Sequence, residues 1–155
     1  MGDTEQVDDS PTDRFDTLVP GLSATTSRTV TDTDVVLFAM VTGDTNPVHL
    51  DEVHAAQSQF GGRIAHGMLT AGFVSATMAS RLPGPGAVYL SQSMRFVRPV
   101  RIGDAITTRV EIIGLDPVKR HVRLATTCRN QSGKLVLDGE ALVLVPRERG
   151  MPPPG

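Results

Sequence analysis

GMLTAGFVSATMAS, residues 67–80, carries no charged residue and is small or apolar all the way round. No apolar run in the chain approaches the roughly 20 residues of a membrane span. The segment is therefore predicted to be a helix buried on most sides, the axis of the fold. Arg81 is its first charge, and Leu82-Pro83-Gly84-Pro85-Gly86 then breaks the chain. Beyond this break the residues alternate with the period of strands. Val88, Leu90, Met94 and Phe96 alternate with Tyr89, Ser91, Ser93 and Arg95, and Ile106, Thr108, Val110 and Ile112 with Thr107, Arg109 and Glu111. Val122, Leu124, Thr126 and Cys128 repeat the pattern, and after a turn at 130–133 so do Leu135, Leu137, Ala141, Val143 and Val145. One wet face per strand is the mark of an antiparallel sheet covered on a single side. The reading is an α+β fold, a curved antiparallel sheet wrapped around one central helix. Such a sheet leaves an outer face and an edge to cover, so at least a homodimer is expected.

Upstream of the helix, Ala24 to Val30 is short and Thr-rich, as an opening strand would be. Thr31-Asp32-Thr33-Asp34 fits an N-cap with an acidic first turn, which predicts a helix over 32–42. Its apolar residues, Val35 to Met40, form a broad face expected to pack on the core. Gly43 stops that helix and Pro47 bars a helix through the next segment, so TGDTNPVH is predicted to be a stiff loop. Asp51 suits the cap of a short helix running to about Ser58, with Phe60-Gly61-Gly62 ending it. Asp44 and His49 lie five positions apart in the loop between these two helices. A carboxylate and an imidazole on a loop held by rigid flanks are where acid-base chemistry is placed.

Length and composition limit the alternatives. A chain of 155 residues suits one domain with its own core. Residues 21–146 are read as that domain, 147–155 as a flexible Pro-rich tail, and 1–20 as a disordered acidic arm. One cysteine excludes an internal disulfide, and the start lacks a charged-then-apolar leader, so a cytoplasmic protein is expected. A formal charge of -2, a pI near 6.0 and no Trp give no signal for nucleic acid. No membrane partner is expected either.

Phe38, Val41, Thr42, Gly43-Asp44, Asn46-Pro47-Val48-His49 and Ala55, followed by Ile64-Ala65-His66-Gly67-Met68-Leu69, resemble the signature of the MaoC-like (R)-specific enoyl-CoA hydratases, also called hydratase 2. The resemblance runs through Leu82-Pro83-Gly84 and residues 89–99 and covers about residues 20–146. It implies a hot dog fold, usually dimeric, acting on acyl thioesters of coenzyme A or of acyl-carrier protein. It implies a catalytic pair at Asp44 and His49, a thioester-binding amide at Gly67 and a serine near the reacting centre at Ser75. No cofactor is expected beyond the coenzyme A that is part of the substrate.

Hydration of a trans-2-enoyl thioester needs a water activated at C3, a proton delivered at C2 and a stabilised enolate oxygen between them. Asp44 and His49 could hold one water so that both of its parts reach the same face. Gly67 opens the helix, where free N–H groups and the dipole favour negative charge. The bland readings are an Asx turn for Asp44, a core histidine for His49 and a back-bond to its own helix for Ser75. His66 is expected to orient the Gly67 turn or to touch substrate. Asn46 and Asp51 are assigned to turn and cap, and His54 and His121 to the surface. The histidines share no ligand spacing with each other or with Cys128, so no metal site is expected. The alternative activity is a (3R)-hydroxyacyl-carrier-protein dehydratase of fatty-acid or polyketide metabolism. A hot dog thioesterase ranks lower, because such enzymes often rely on a carboxylate from the central helix and residues 67–80 have none. A non-catalytic acyl-binding subunit is the third class.

Overall fold

The computed structural model describes residues 12–147. Its elements are β1 (Ser23–Thr29), α1 (Asp32–Thr42), α2 (Pro47–Leu50), α3 (Glu52–Gln57), α4 (Gly67–Ser80), β2 (Val88–Phe96), β3 (Ala105–Asp116), β4 (His121–Arg129) and β5 (Leu135–Leu144). The five strands form one antiparallel sheet in the order β1-β3-β4-β5-β2, and α4 packs across β1, β3 and β4. This is the sheet-around-a-helix arrangement that the sequence predicts.

The predicted bounds of α4, 67–80, are the observed ones. Its burial differs from the expectation. Thr70, Ala71, Phe73, Val74, Thr77 and Met78 are buried on the sheet side, while Met68 is 56 % exposed and Gly72, Ala76, Ala79 and Ser80 face outward. The sheet of one chain can cover only one side of a helix, and this helix keeps the other side small and uncharged. On the covered side, Thr77 shares a hydrogen bond of 2.6 Å with Thr26 of β1 and donates back to the Phe73 carbonyl, so its buried hydroxyl is satisfied.

The inward faces of β3, β4 and β5 follow the predicted alternation. Ile106, Val110, Ile112, Val122, Leu124, Leu137, Ala141 and Val143 are all within 1 % of full burial, each contributing about 1.5–3 kcal/mol for the larger side chains. β2 departs from it: Val88, Leu90 and Phe96 are 45–53 % exposed and only Met94 of the predicted face packs on the core. β2 is an edge strand, and its pairing with β5 slips at a bulge between Tyr89 and Ser91. Beneath it Gly139 of β5 allows a close approach, since a Cβ there would stand 1.9 Å from the Ser93 carbonyl oxygen.

α1 has the predicted span and a full capping box, Thr31 bonding the Asp34 amide and Asp34 the Thr31 amide. Only Val35 and Ala39 of its apolar face are buried, whereas Leu37, Met40 and Val41 are exposed. The acidic arm also differs from the expectation of disorder over 1–20. Residues 1–11 lie outside the described residues, but Arg14–Thr17 form a 3-10 turn, and Phe15 and Leu18 are buried in the core. Asp13 caps that turn and makes a double hydrogen bond to Arg120, whose guanidinium also lies 5.0 Å from the Phe15 ring. Two apolar side chains and one ion pair anchor this stretch despite its acidic composition. Of the predicted tail, residues 148–155 lie outside the described residues. No helix among the described residues is long and apolar enough to cross a membrane.

Candidate active site

α1 ends at Gly43, whose positive φ of 78° lets its N–H close on the Ala39 carbonyl. The chain then turns on local bonds. Thr42 Oγ1 accepts from the Asp44 amide at 3.2 Å, and Asp44 Oδ1 accepts from the Asn46 amide at 3.2 Å. The Asx turn considered for Asp44 is therefore present, and it uses Oδ1, leaving Oδ2 for other partners. Asn46 caps the next turn through Val48. That turn is helical, contrary to the expectation of a helix-free loop: Pro47 sits at the first position of α2, where a missing N–H costs nothing.

α2 places His49, which is 8 % exposed. Its Nδ1 lies 2.8 Å from the Ile64 carbonyl oxygen. A carbonyl only accepts, so Nδ1 carries the proton and Nε2 is left as the basic nitrogen of the neutral ring. Arg63 holds the same residue from behind, donating from Nε to the His49 carbonyl at 2.6 Å while pairing with Asp32 at 2.7 Å. Consecutive residues 63 and 64 thus fix both the backbone and the ring of His49. No motif or spacing in the linear chain marks Arg63 for this part.

His66, the residue before α4, is 2 % exposed. Its Nε2 lies 3.0 Å from the Asp44 backbone carbonyl, and its ring stacks on His49 with centroids 3.9 Å apart and on Phe38 at 4.7 Å. Nδ1 of His66 is buried without a hydrogen-bond partner, as is Oγ1 of Thr70 one turn along α4. One ligating atom each from Asp44, His49 and His66 lies within 4.8 Å of the others. The sequence spacing conceals this convergence. The two imidazoles pack against each other with their planes tilted by 31°.

Asp44, His49, His66, Gly67 and Thr70 line one cavity of about 730 Å³, walled mainly by apolar side chains that include Phe38, Phe60, Ile64, Phe96, Val100 and Leu137. Its size is within the ordinary range for a small-molecule site. Arg98, held to the Leu135 carbonyl at 2.8 Å, lines it as well. No side chain caps α4, so its first-turn N–H groups at the cavity lack side-chain acceptors. Gly67 leaves room there for Phe96 as it lies, because a Cβ would stand 2.8–3.1 Å from three atoms of that ring. Of the residues singled out from sequence, the structure brings Asp44, His49, His66 and Gly67 together. Ser75, two turns further along α4, is half-buried and outside the cavity lining. His54 is exposed, His121 half-buried, and neither lines the cavity. Cys128 is buried in the sheet, and burial pushes its thiol above the usual range, the form least suited to nucleophilic work.

Residues 19–133 match the family described as MaoC like domain. The chain is 50 % identical over 139 residues to a 3-hydroxybutyryl-CoA dehydratase of Methylorubrum extorquens, covering 90 % of this chain and 88 % of that protein. It is 49 % identical over 132 residues to an (R)-specific enoyl-CoA hydratase of Rhodospirillum rubrum, with 85 % and 91 % covered. Among solved structures, the unliganded R-hydratase PhaJ1 from Pseudomonas aeruginosa superimposes with a TM-score of 0.82 at 44 % identity, over 91 % of this chain and 94 % of that one.

Proposed function

The chain belongs to the MaoC-like family, and we infer that it is a hydro-lyase that reversibly adds water to trans-2-enoyl-CoA, giving (R)-3-hydroxyacyl-CoA. The observation that carries the mechanism is the shared cavity of Asp44, His49 and the uncapped start of α4. Asp44 and His49 hold one water between the free carboxylate oxygen and the basic Nε2. The pair removes a proton from it, and hydroxide bonds to C3. The C2–C3 π electrons move toward the thioester, whose oxygen takes up charge at the Gly67 amide. As that charge returns, the pair delivers a proton to C2 on the face from which hydroxide came. The mass balance is one water across one double bond, and no step needs a cofactor. The neighbouring groups act as a coupled unit in which the proton belongs to the pair.

The apolar walls suit an acyl chain, and coenzyme A enters as part of the substrate. A homodimer is supported by the edge strand β2, which exposes Val88, Leu90 and Phe96, and by the uncovered face of α4, which carries Met68. A second copy would cover this apolar edge. A strictly monomeric mass by light scattering at micromolar concentration would contradict that assembly. The activity itself is tested by the fall in conjugated-enoyl absorbance of crotonyl-CoA. Chiral analysis should return (R)-3-hydroxybutyryl-CoA, and either no hydration or the S product would overturn the reading. Faster turnover of the carrier-protein form of the same acyl group would reassign the enzyme to carrier-bound substrates.

A further inference from the structure

The hydration chemistry gives His66 no step, yet it touches both members of the acid-base pair. It is almost fully buried, its ring lies against His49, and its Nε2–H donates to the Asp44 carbonyl at 3.0 Å. Nδ1 has no partner, so all the hydrogen bonding of this ring goes to Asp44. Asp44 is itself solvent-exposed, and its other hydrogen bonds are to Thr42 and Asn46, two positions to either side in the same loop. Among the described residues, the bond from His66 is the one that ties Asp44 to anything outside its own loop. It spans 22 positions.

His66 is also the residue before Gly67, at the start of the packed helix α4. The backbone there is held by the Ala65 amide on the Val100 carbonyl at 2.7 Å and by the Leu69 amide on the His66 carbonyl. The ring therefore transmits the position of a rigid element to the turn around Asp44, whose other hydrogen bonds are local. Hydration needs the water at C3 and the charge-stabilising amide at the thioester oxygen to be in register. Asp44 and His49 supply the first and Gly67 the second, on different elements of the chain.

Resting on the hydratase reading above, we propose that His66 is a positioning residue that sets the Asp44–His49 pair in register with the Gly67 amide, through its Nε2–H bond to the Asp44 carbonyl and its stack on His49. It touches neither reacting carbon. A displacement of the loop by about 1 Å is enough to cost on the order of 10²-fold in rate without loss of binding.

The test compares His66→Gln with His66→Leu. The glutamine amide nitrogen is as many bonds from Cα as Nε2 and keeps the donor, whereas leucine keeps bulk and loses it. On crotonyl-CoA, His66→Leu is expected to lower kcat by about tenfold to 10²-fold with KM within twofold of wild type, and His66→Gln to recover most of the loss. Hydrogen exchange over residues 43–46 supplies a readout independent of turnover: faster in His66→Leu, near wild type in His66→Gln. Wild-type turnover in the same assay separates failure of the hydratase reading from failure of this one, because the exchange pattern stands without activity. Equal kcat in the two variants, a loss confined to KM, or loop exchange unchanged in His66→Leu would overturn the assignment.

Discussion

Gly67→Ala should separate activity from stability in this fold. The added Cβ would meet three atoms of the Phe96 ring at 2.8–3.1 Å, closer than carbon atoms approach. Phe96 is 53 % exposed on an edge strand, so the ring can swing outward rather than force the backbone apart. Overpacking of a closed core costs about 1–3 kcal/mol, and a half-exposed ring places this site at the low end. Gly67 is the first residue of α4, where the interior preference for alanine over glycine is not gained in full, so the net cost stays near that low end. The thermal midpoint should move by only a few degrees. The effect on rate is different in kind. The methyl group would occupy the approach proposed for the thioester oxygen to the first amide of α4, and losing one such donor costs about 2.7–4 kcal/mol of barrier, or 10²–10³ in kcat. Crotonyl-CoA hydration at saturating substrate, beside a thermal melt, measures both. A Gly67→Ala protein with kcat within twofold of wild type would refute the assignment of that amide. Loss of both activity and fold would show instead that Phe96 cannot yield.

Three further outcomes are expected from the geometry. Asp13→Ala should lower stability by about 1.5–3 kcal/mol at pH 7, read from urea melts, because Asp13 bonds both the Arg120 guanidinium and the Phe15 amide. The Arg120 hydrogen bonds hold the Asp13 carboxyl below its ordinary range. Its contribution is therefore complete above that range and is lost as the pH falls through the lowered value, so the gap between wild type and variant should close in acid and not in base. Gly139→Ala should destabilise by about 1–3 kcal/mol or more, since its Cβ would fall 1.9 Å from a backbone oxygen that cannot swing away; an unchanged thermal midpoint would contradict this close approach. Ser75→Ala should leave kcat and KM within twofold, because Ser75 lies outside the cavity lining, and a tenfold change in either would restore it to the site.

The parts of the fold legible in sequence are those fixed by local physics. The absence of charge between Gly67 and Arg81, the Thr31–Asp34 capping box and the period-2 runs of β3 to β5 each depend on residues close in the chain. The illegible parts depend on where the sheet ends. The same apolar composition is buried in Val35 and Ala39 and exposed in Leu37, Met40 and Val41, because one sheet covers one side of each helix. α2 escapes a linear reading because Pro47 reads as a barrier, although its position permits a first helical residue. Phe15 and Leu18 are hidden in acidic surroundings, and only their distant partners reveal them as core. In the site, Asp44 and His49 are legible because one loop carries both. The contacts of His66 and Arg63 arise only when the chain returns along Val100 and the Ile64–Arg101 bridge.

The central claim is that Asp44 and His49 share a single water and return its proton to the same face of the substrate. Hydration of crotonyl-CoA in deuterium oxide tests it most directly, with the coupling between the C2 and C3 protons of the product read by proton NMR. The expected result is syn addition by the wild-type protein and a loss of turnover by at least about 10²-fold in Asp44→Asn and His49→Ala. Anti addition, a mixture of C2 configurations, or full turnover by either variant would contradict it.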